Sequence, residues 1–121
     1  MAQHKEMVIF TRTFDFLGWL LPMTNNFPRA HRHSFTRRLL DAAFDLRERL
    51  EMANLRRGQA RLAQLRLADE ALSKVRVYLR LAVRWQWMNG GQYRHAAEMV
   101  AEIGRLLGGW IKSTLEAMGK Q

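Results

Sequence analysis

Residues 59–88, QARLAQLRLADEALSKVRVYLRLAVRWQWM, decide the fold. Apolar residues recur along this segment at the spacing of one helix face. The residues of that stripe are Leu65, Ala68, Leu72, Val75, Leu79 and Ala82. At about 1.5 Å per residue such a helix extends roughly 45 Å. The segment therefore predicts an all-α protein organised around one long helix.

Three further helices are predicted around it, over residues 8–21, 34–57 and 92–117, with Ser34 as the N-cap of the second. Their apolar stripes are, in chain order, Phe10, Phe14, Leu17 and Leu21; Phe35, Leu39, Ala42, Leu46, Leu50 and Ala53; and Tyr93, Ala96, Val100, Ile103, Leu107 and Trp110. A proline-containing loop at 21–28 separates the first two helices, and Asn89-Gly90-Gly91 ends the third. Four amphipathic helices with short connections over residues 1–121 predict a single antiparallel four-helix bundle.

The charge balance points to a polyanionic partner. The chain has 121 residues and a formal net charge of +9, from 16 Arg and 4 Lys against 11 acidic residues, yet 48% of it is hydrophobic. This composition is too apolar for a disordered basic tail. Arginine binds phosphate or carboxylate through two parallel hydrogen bonds. Residues 29–66 alone hold ten arginines against four acidic residues.

The arginines that form clusters are the candidate binding residues. They are Arg29, Arg32, Arg37, Arg38, Arg56, Arg57, Arg61, Arg76, Arg80 and Arg84, and His31 and His33 accompany the first two. The last three arginines are spaced i, i+4 with no acidic residue between them, so they repel one another unless an external anion binds. The other interpretation is a solvated face, since Arg37–Asp41, Asp45–Arg49 and Arg47–Glu51 are also spaced i, i+4.

No pattern for bond-making chemistry is present. The chain has no cysteine, no glycine-rich phosphate loop and no Ser/His/Asp arrangement. His95 and Glu98 form one pair, whereas a carboxylate-bridged bundle site needs two such pairs and two further Glu. We expect no metal site, no cofactor and no enzymatic activity. The most apolar run, residues 16–23, is too short to cross a membrane, and without a secretory signal a cytoplasmic location is expected.

Glycine and tryptophan positions predict a subunit contact. Gly104, Gly108 and Gly109 each weaken a helix by about 1 kcal/mol relative to alanine, which close approach of a neighbouring helix or subunit can offset. Alternatively, the last two end or kink the helix and redirect Trp110. Trp85 and Trp87 lie two residues apart on the predicted third helix and should point to different sides. At least one of them should then contact a subunit or partner.

The segment 102–113, EIGRLLGGWIKS, resembles the accessory variability determinant (Avd) proteins of diversity-generating retroelements. Phe27-Pro28-Arg29 with Arg32, and residues 79–82, extend the likeness. These proteins are one branch of a wider bacterial four-helix-bundle family, which also includes proteins encoded in ribosomal RNA intervening sequences. The chain matches this family in length and element order.

The resemblance implies a non-enzymatic subunit that assembles into a basic homopentameric barrel. Such a subunit binds the retroelement's reverse transcriptase and acts with the template RNA and the complementary DNA. The resemblance maps the family's glycine-rich helix onto Gly104, Gly108 and Gly109, which with Trp110 are the candidate subunit-packing residues. The alternative is an RNA-binding relative of the proteins of ribosomal RNA intervening sequences. A helix-turn-helix DNA regulator fits less well because these helices are long and their polar positions are mostly arginine.

Overall fold

The computed structural model describes the backbone of residues 2–120 and the side chains of residues 8–120, so Met1 and Gln121 of the predicted domain lie outside the described residues. Within that range the chain is all-helical and contains no strand. The four long helices are α1 (Ala2–Met23), α2 (Arg37–Asn54), α3 (Gly58–Arg84) and α4 (Gly90–Gly119). The predicted all-α helical bundle is confirmed.

The helices run antiparallel, and each packs against the next, with α4 also packed on α1. Residues 24–36, which join α1 to α2, and residues 85–89, which join α3 to α4, therefore lie at the same end of the bundle, called here the loop end. Residues 55–57 join α2 to α3 at the opposite end, called here the turn end. Along α3 all six predicted core residues are buried, and so are the five predicted ones that lie in α2; Phe35, which precedes α2, is half-buried.

The buried face of α1 differs from the prediction. Phe14 is 68% exposed and Leu21 is 48% exposed, although both were placed in the apolar stripe. The buried side chains of this helix are Ile9, Thr13, Phe16, Leu20 and Met23. The pattern missed this face because it includes a threonine.

Thr13 can be buried because its hydroxyl group is fully used. Its single proton is shared between the carbonyl oxygens of Ile9 (3.0 Å) and Phe10 (3.1 Å), and its oxygen accepts from Arg47 of α2 (3.2 Å). Arg47 also donates to the Phe10 carbonyl oxygen (2.9 Å) and lies over the Phe10 ring. A buried polar group that is hydrogen-bonded in this way costs little.

The start of α2 also differs from the prediction. Ser34 does not cap the helix, since its hydroxyl group donates back to the His31 carbonyl oxygen (3.4 Å). A π-helical turn over Arg32–Thr36 comes first, and α2 begins only at Arg37. The helix ends at Asn54 rather than at residue 57.

Helix α3 ends four residues earlier than predicted, in a Schellman turn. Gln86 has a φ of 65°, the left-handed region that glycine usually occupies at this position. The N–H of Gln86 donates to the Val83 carbonyl oxygen (3.0 Å) and that of Trp87 to the Ala82 carbonyl oxygen (2.9 Å). This hydrogen-bond pair ends the helix without glycine.

Asn89 begins α4 rather than ending α3. Its side-chain oxygen accepts from the Gln92 N–H (2.7 Å), and the Gln92 side-chain oxygen accepts from the Asn89 N–H (3.0 Å). This capping box starts α4 at Gly90, two residues before the predicted start.

Candidate nucleic-acid interface

The net charge is concentrated in the loop-end half of the bundle. Residues 16–40 and 71–97 form the two loop-end connections and the adjoining parts of all four helices, and they contain no Asp or Glu. Their nine basic residues are Arg29, Arg32, Arg37, Arg38, Lys74, Arg76, Arg80, Arg84 and Arg94. The rest of the sequence holds eleven basic and eleven acidic residues. One half of the molecule thus carries the entire formal charge of +9.

Six of the predicted binding residues lie together at this end with exposed side chains. They are Arg29, Arg32, Arg37, Arg38, Arg80 and Arg84. Within residues 8–120, only Arg37 of these six forms an ion pair, an exposed contact of 4.0 Å with Asp41. Such a pair contributes little, so these guanidinium groups are available to an external anion.

Arg76 differs from its neighbours in the predicted row. It is half-buried, and its guanidinium group lies beside Gly104 of α4. A Cβ atom at Gly104 would lie 2.6 Å from Nη2 of Arg76 and 3.6 Å from Leu72. The close contact at this glycine is therefore made inside the protomer, by side chains of α3 rather than by its backbone.

Arg61, another predicted binding residue, stabilises the turn end. Its Nε donates to the carbonyl oxygen of Ala53 (3.0 Å), one residue before the end of α2. Its guanidinium group lies 5.6 Å from the ring centroid of Trp110. Arg56 and Arg57 are exposed in the adjacent connection, far along the bundle from the loop-end arginines.

The predicted subunit-packing residues fall into two groups. Trp110 is only 8% exposed and packs its ring edge against Phe10 within the protomer, as Gly104 packs against Arg76. Gly108 and Gly109 are exposed, and a Cβ atom at either position would meet nothing within 4 Å. Helix α4 continues through both glycines to Gly119, so they do not end it.

An aromatic cluster lies among the loop-end arginines. Its members are Phe27, His31, Phe35, Tyr78, Trp85 and Trp87. The ring centroids of Trp85 and Trp87 are 5.1 Å apart, so the prediction that they point to different sides is wrong. The reason is that α3 ends at Arg84, before either residue. Trp85 remains 48% exposed.

A groove of about 420 Å³ adjoins this cluster, between the end of α1 and the start of α2. Leu21, Phe27 and Leu40 form apolar walls, and Arg32 also lines it. Thr36 lines it as well, and its buried hydroxyl group has no hydrogen-bond partner among the described residues. Helical periodicity missed this groove because non-α turns form one side of it.

On the α1–α4 side of the bundle, the described histidine and a nearby glutamate contact other side chains. The His95 ring packs against Trp19 with 5.1 Å between centroids, and Glu102 pairs with Arg12. Among the described side chains, no three potential ligands lie close enough together to hold a metal ion. Within residues 2–120, no helix combines the length and apolar character that crossing a membrane requires.

The fold and this surface define a small helical-bundle protein with one strongly cationic, aromatic end. The model of a family described as bAvd-like matches residues 7–114, nine-tenths of the chain. The chain therefore belongs to the bAvd-like family, which confirms the resemblance seen in the sequence. No curated protein matches it.

A similar solved structure shares the fold. It is the crystal structure of a protein of unknown function from the S23 ribosomal protein family of Bacteroides thetaiotaomicron. The TM-score is 0.80 at 16% sequence identity, and the alignment covers 89% of this chain and 98% of the other.

Proposed function

We propose that this chain is a non-enzymatic accessory subunit of a diversity-generating retroelement, acting in the cytoplasm. It binds the reverse transcriptase and the template RNA, together with the complementary DNA, and so supports mutagenic complementary DNA synthesis. Membership of the bAvd-like family supports this role. The observation that carries it is the loop-end half, whose two chain segments contain nine basic residues and no acidic residue.

The exposed loop-end arginines are suited to phosphate binding. Each guanidinium group can donate two parallel hydrogen bonds to phosphate oxygens. Binding of this kind releases counterions, so the affinity falls steeply as salt rises and depends little on base sequence. Specificity for one template then comes from RNA shape or from the polymerase itself.

Assembly into a homopentamer multiplies this charge. Five copies carry about 45 net positive charges, which attracts a long polyanion far more strongly than one domain does. The uncovered backbone at Gly108 and Gly109 gives a neighbouring subunit a place to approach closely. Light scattering at tens of micromolar tests this part of the proposal, and a monomer there contradicts it.

The direct test is co-purification. Tagged protein is expected to recover the reverse transcriptase and template RNA from cells expressing all three, in a complex that dissociates at high salt. Recovery of neither contradicts the proposal. The gene neighbourhood gives an independent test: a reverse transcriptase gene and paired near-identical repeats beside this gene support the retroelement role. A position inside a ribosomal RNA gene supports the related RNA-binding function instead.

A further inference from the structure

We propose that the indole of Trp85 is a stacking platform for an unpaired RNA base, and that loop-end arginines hold the flanking phosphates. The inference rests on the proposed function and assigns one of its contacts to a particular side chain. Single-stranded nucleic acid is typically bound by this combination of aromatic side chains and a positively charged surface.

The backbone after α3 holds Trp85 in place. Trp85 is the first residue beyond the helix, and Gln86 follows it with a φ of 65°. A non-glycine residue in this region is unfavourable and persists where the surrounding structure enforces it, often at a functional site. The turn brings the two indoles together on one side instead of letting them diverge along a helix.

Neighbouring rings fix the Trp85 indole but do not cover it. The Phe35 ring meets it edge-on with 5.6 Å between centroids, and Trp87 lies 5.1 Å away. Even so, 48% of Trp85 stays exposed. The same cluster already contains one face-to-face stack, because the exposed His31 ring lies 5.3 Å from Trp87 at an interplanar angle of 19°. The cluster is thus able to bind a planar, nitrogen-containing ring.

The positive charge around Trp85 favours nucleic acid over an apolar protein segment as its ligand. Arg84 immediately precedes Trp85, and Arg29 and Arg32 flank His31. No acidic residue occurs in either stretch of chain that forms this end. Phe14 gives a contrast within the same molecule: it is more exposed than Trp85, but Asp15 follows it directly. An unpaired strand is required, since bases inside a duplex have no free face.

The test compares two fluorescent RNA strands of equal length, about ten nucleotides, one an oligoadenylate and the other abasic. Both carry the same phosphates, so a difference in affinity reports contact with bases. Wild-type protein is expected to bind the oligoadenylate roughly five-fold or more tightly than the abasic strand. Trp85→Leu is expected to abolish this preference while leaving the abasic affinity and the salt dependence unchanged. Trp85→Phe, which keeps an aromatic face, is expected to retain part of it, and the control Phe14→Leu all of it.

The outcomes separate this inference from the proposed function. Equal wild-type affinity for the two strands, or a preference that survives Trp85→Leu, overturns the stacking site and leaves the accessory function standing. If the wild-type protein binds neither strand at low salt, both the stacking site and the proposed RNA-binding function are overturned. Photocrosslinking of the wild-type protein to RNA containing 5-iodouridine avoids any folding defect in a variant. Crosslinks are expected at Trp85, and crosslinks confined to the turn end overturn the inference.

Discussion

The two ends of the bundle use arginine in opposite ways. At the loop end, exposed arginines surround an aromatic cluster, and no carboxylate occurs in the chain segments that form it. At the turn end, Arg61 donates to a backbone carbonyl at the end of α2 and covers Trp110. The same residue type is therefore exposed and available to an external anion at one end, and it stabilises the fold at the other. The burial and the hydrogen-bond partners of each arginine distinguish the two roles. The clustering of arginines in the sequence does not, because it occurs at both ends.

The largest expected effect comes from removing charge at the loop end. Arg80→Ala combined with Arg84→Ala should weaken RNA affinity by about ten-fold to a hundred-fold and reduce the salt slope by roughly one to two. Fluorescence anisotropy across a salt series measures both quantities.

The matched control removes the same charge at the other end. Arg56→Ala with Arg57→Ala should change RNA affinity much less, because these two exposed arginines lie at the turn end. An equal loss of affinity in the two double variants shows that total charge matters and its position does not.

The next effect is on stability and concerns the turn end. Arg61→Ala should lower the free energy of unfolding by about 1–3 kcal/mol, because the charge-assisted hydrogen bond to the Ala53 carbonyl oxygen and the cation–π contact with Trp110 are both lost. Urea denaturation monitors the change, with Arg57→Ala as the control expected within about 0.5 kcal/mol of wild type. If Arg61→Ala leaves the free energy of unfolding unchanged, the structural role assigned to this arginine is wrong.

Capping at the loop end gives a smaller effect. Asn89→Ala removes the N-cap of α4 and should cost about 1 kcal/mol in thermal or urea unfolding. Ser34→Ala, a change at the residue that the sequence pattern named as a cap, should cost less than half as much. The reverse order means that Ser34 caps a helix in solution.

The smallest effect should be a gain. Gln86→Gly removes the cost of holding a non-glycine residue in the left-handed conformation at the end of α3. Glycine also has more conformational freedom in the unfolded chain, which offsets part of this gain. The free energy of unfolding should therefore rise by about 0.5 kcal/mol. A loss of stability in a denaturation curve contradicts the strain assigned to Gln86. RNA binding by this variant should stay intact, since the tryptophans remain in place.

Apolar periodicity predicted the parts of the fold where packing alone decides the structure. Every predicted core residue of α3 is buried, because regular heptad-like spacing leaves only one face for the core. The prediction was wrong where hydrogen bonds decide instead. Thr13 is buried because Arg47 satisfies it, and α3 stops early because Gln86 accepts a conformation that is rare for its type.

The candidate site was predicted only in part for a related reason. Arginine clusters were visible in the sequence, and the six exposed loop-end arginines were among them. The sequence does not show that Arg61 lies at the opposite end of the bundle from these six arginines. That follows from the antiparallel topology, which brings residues 16–40 and 71–97 together at one end. The aromatic cluster depends on a turn, and turns leave no periodic signal.

The concentration of charge in one half also gives the molecule an electric dipole along its long axis. A polyanion that approaches from any direction exerts a torque that turns the cationic end toward it. The protein is therefore oriented for binding before any specific contact forms. Association should therefore be fast at low ionic strength and slow steeply as the Debye length falls below the length of the bundle. In an assembly whose subunits point the same way, the dipoles would add, and one rim would carry most of the positive charge.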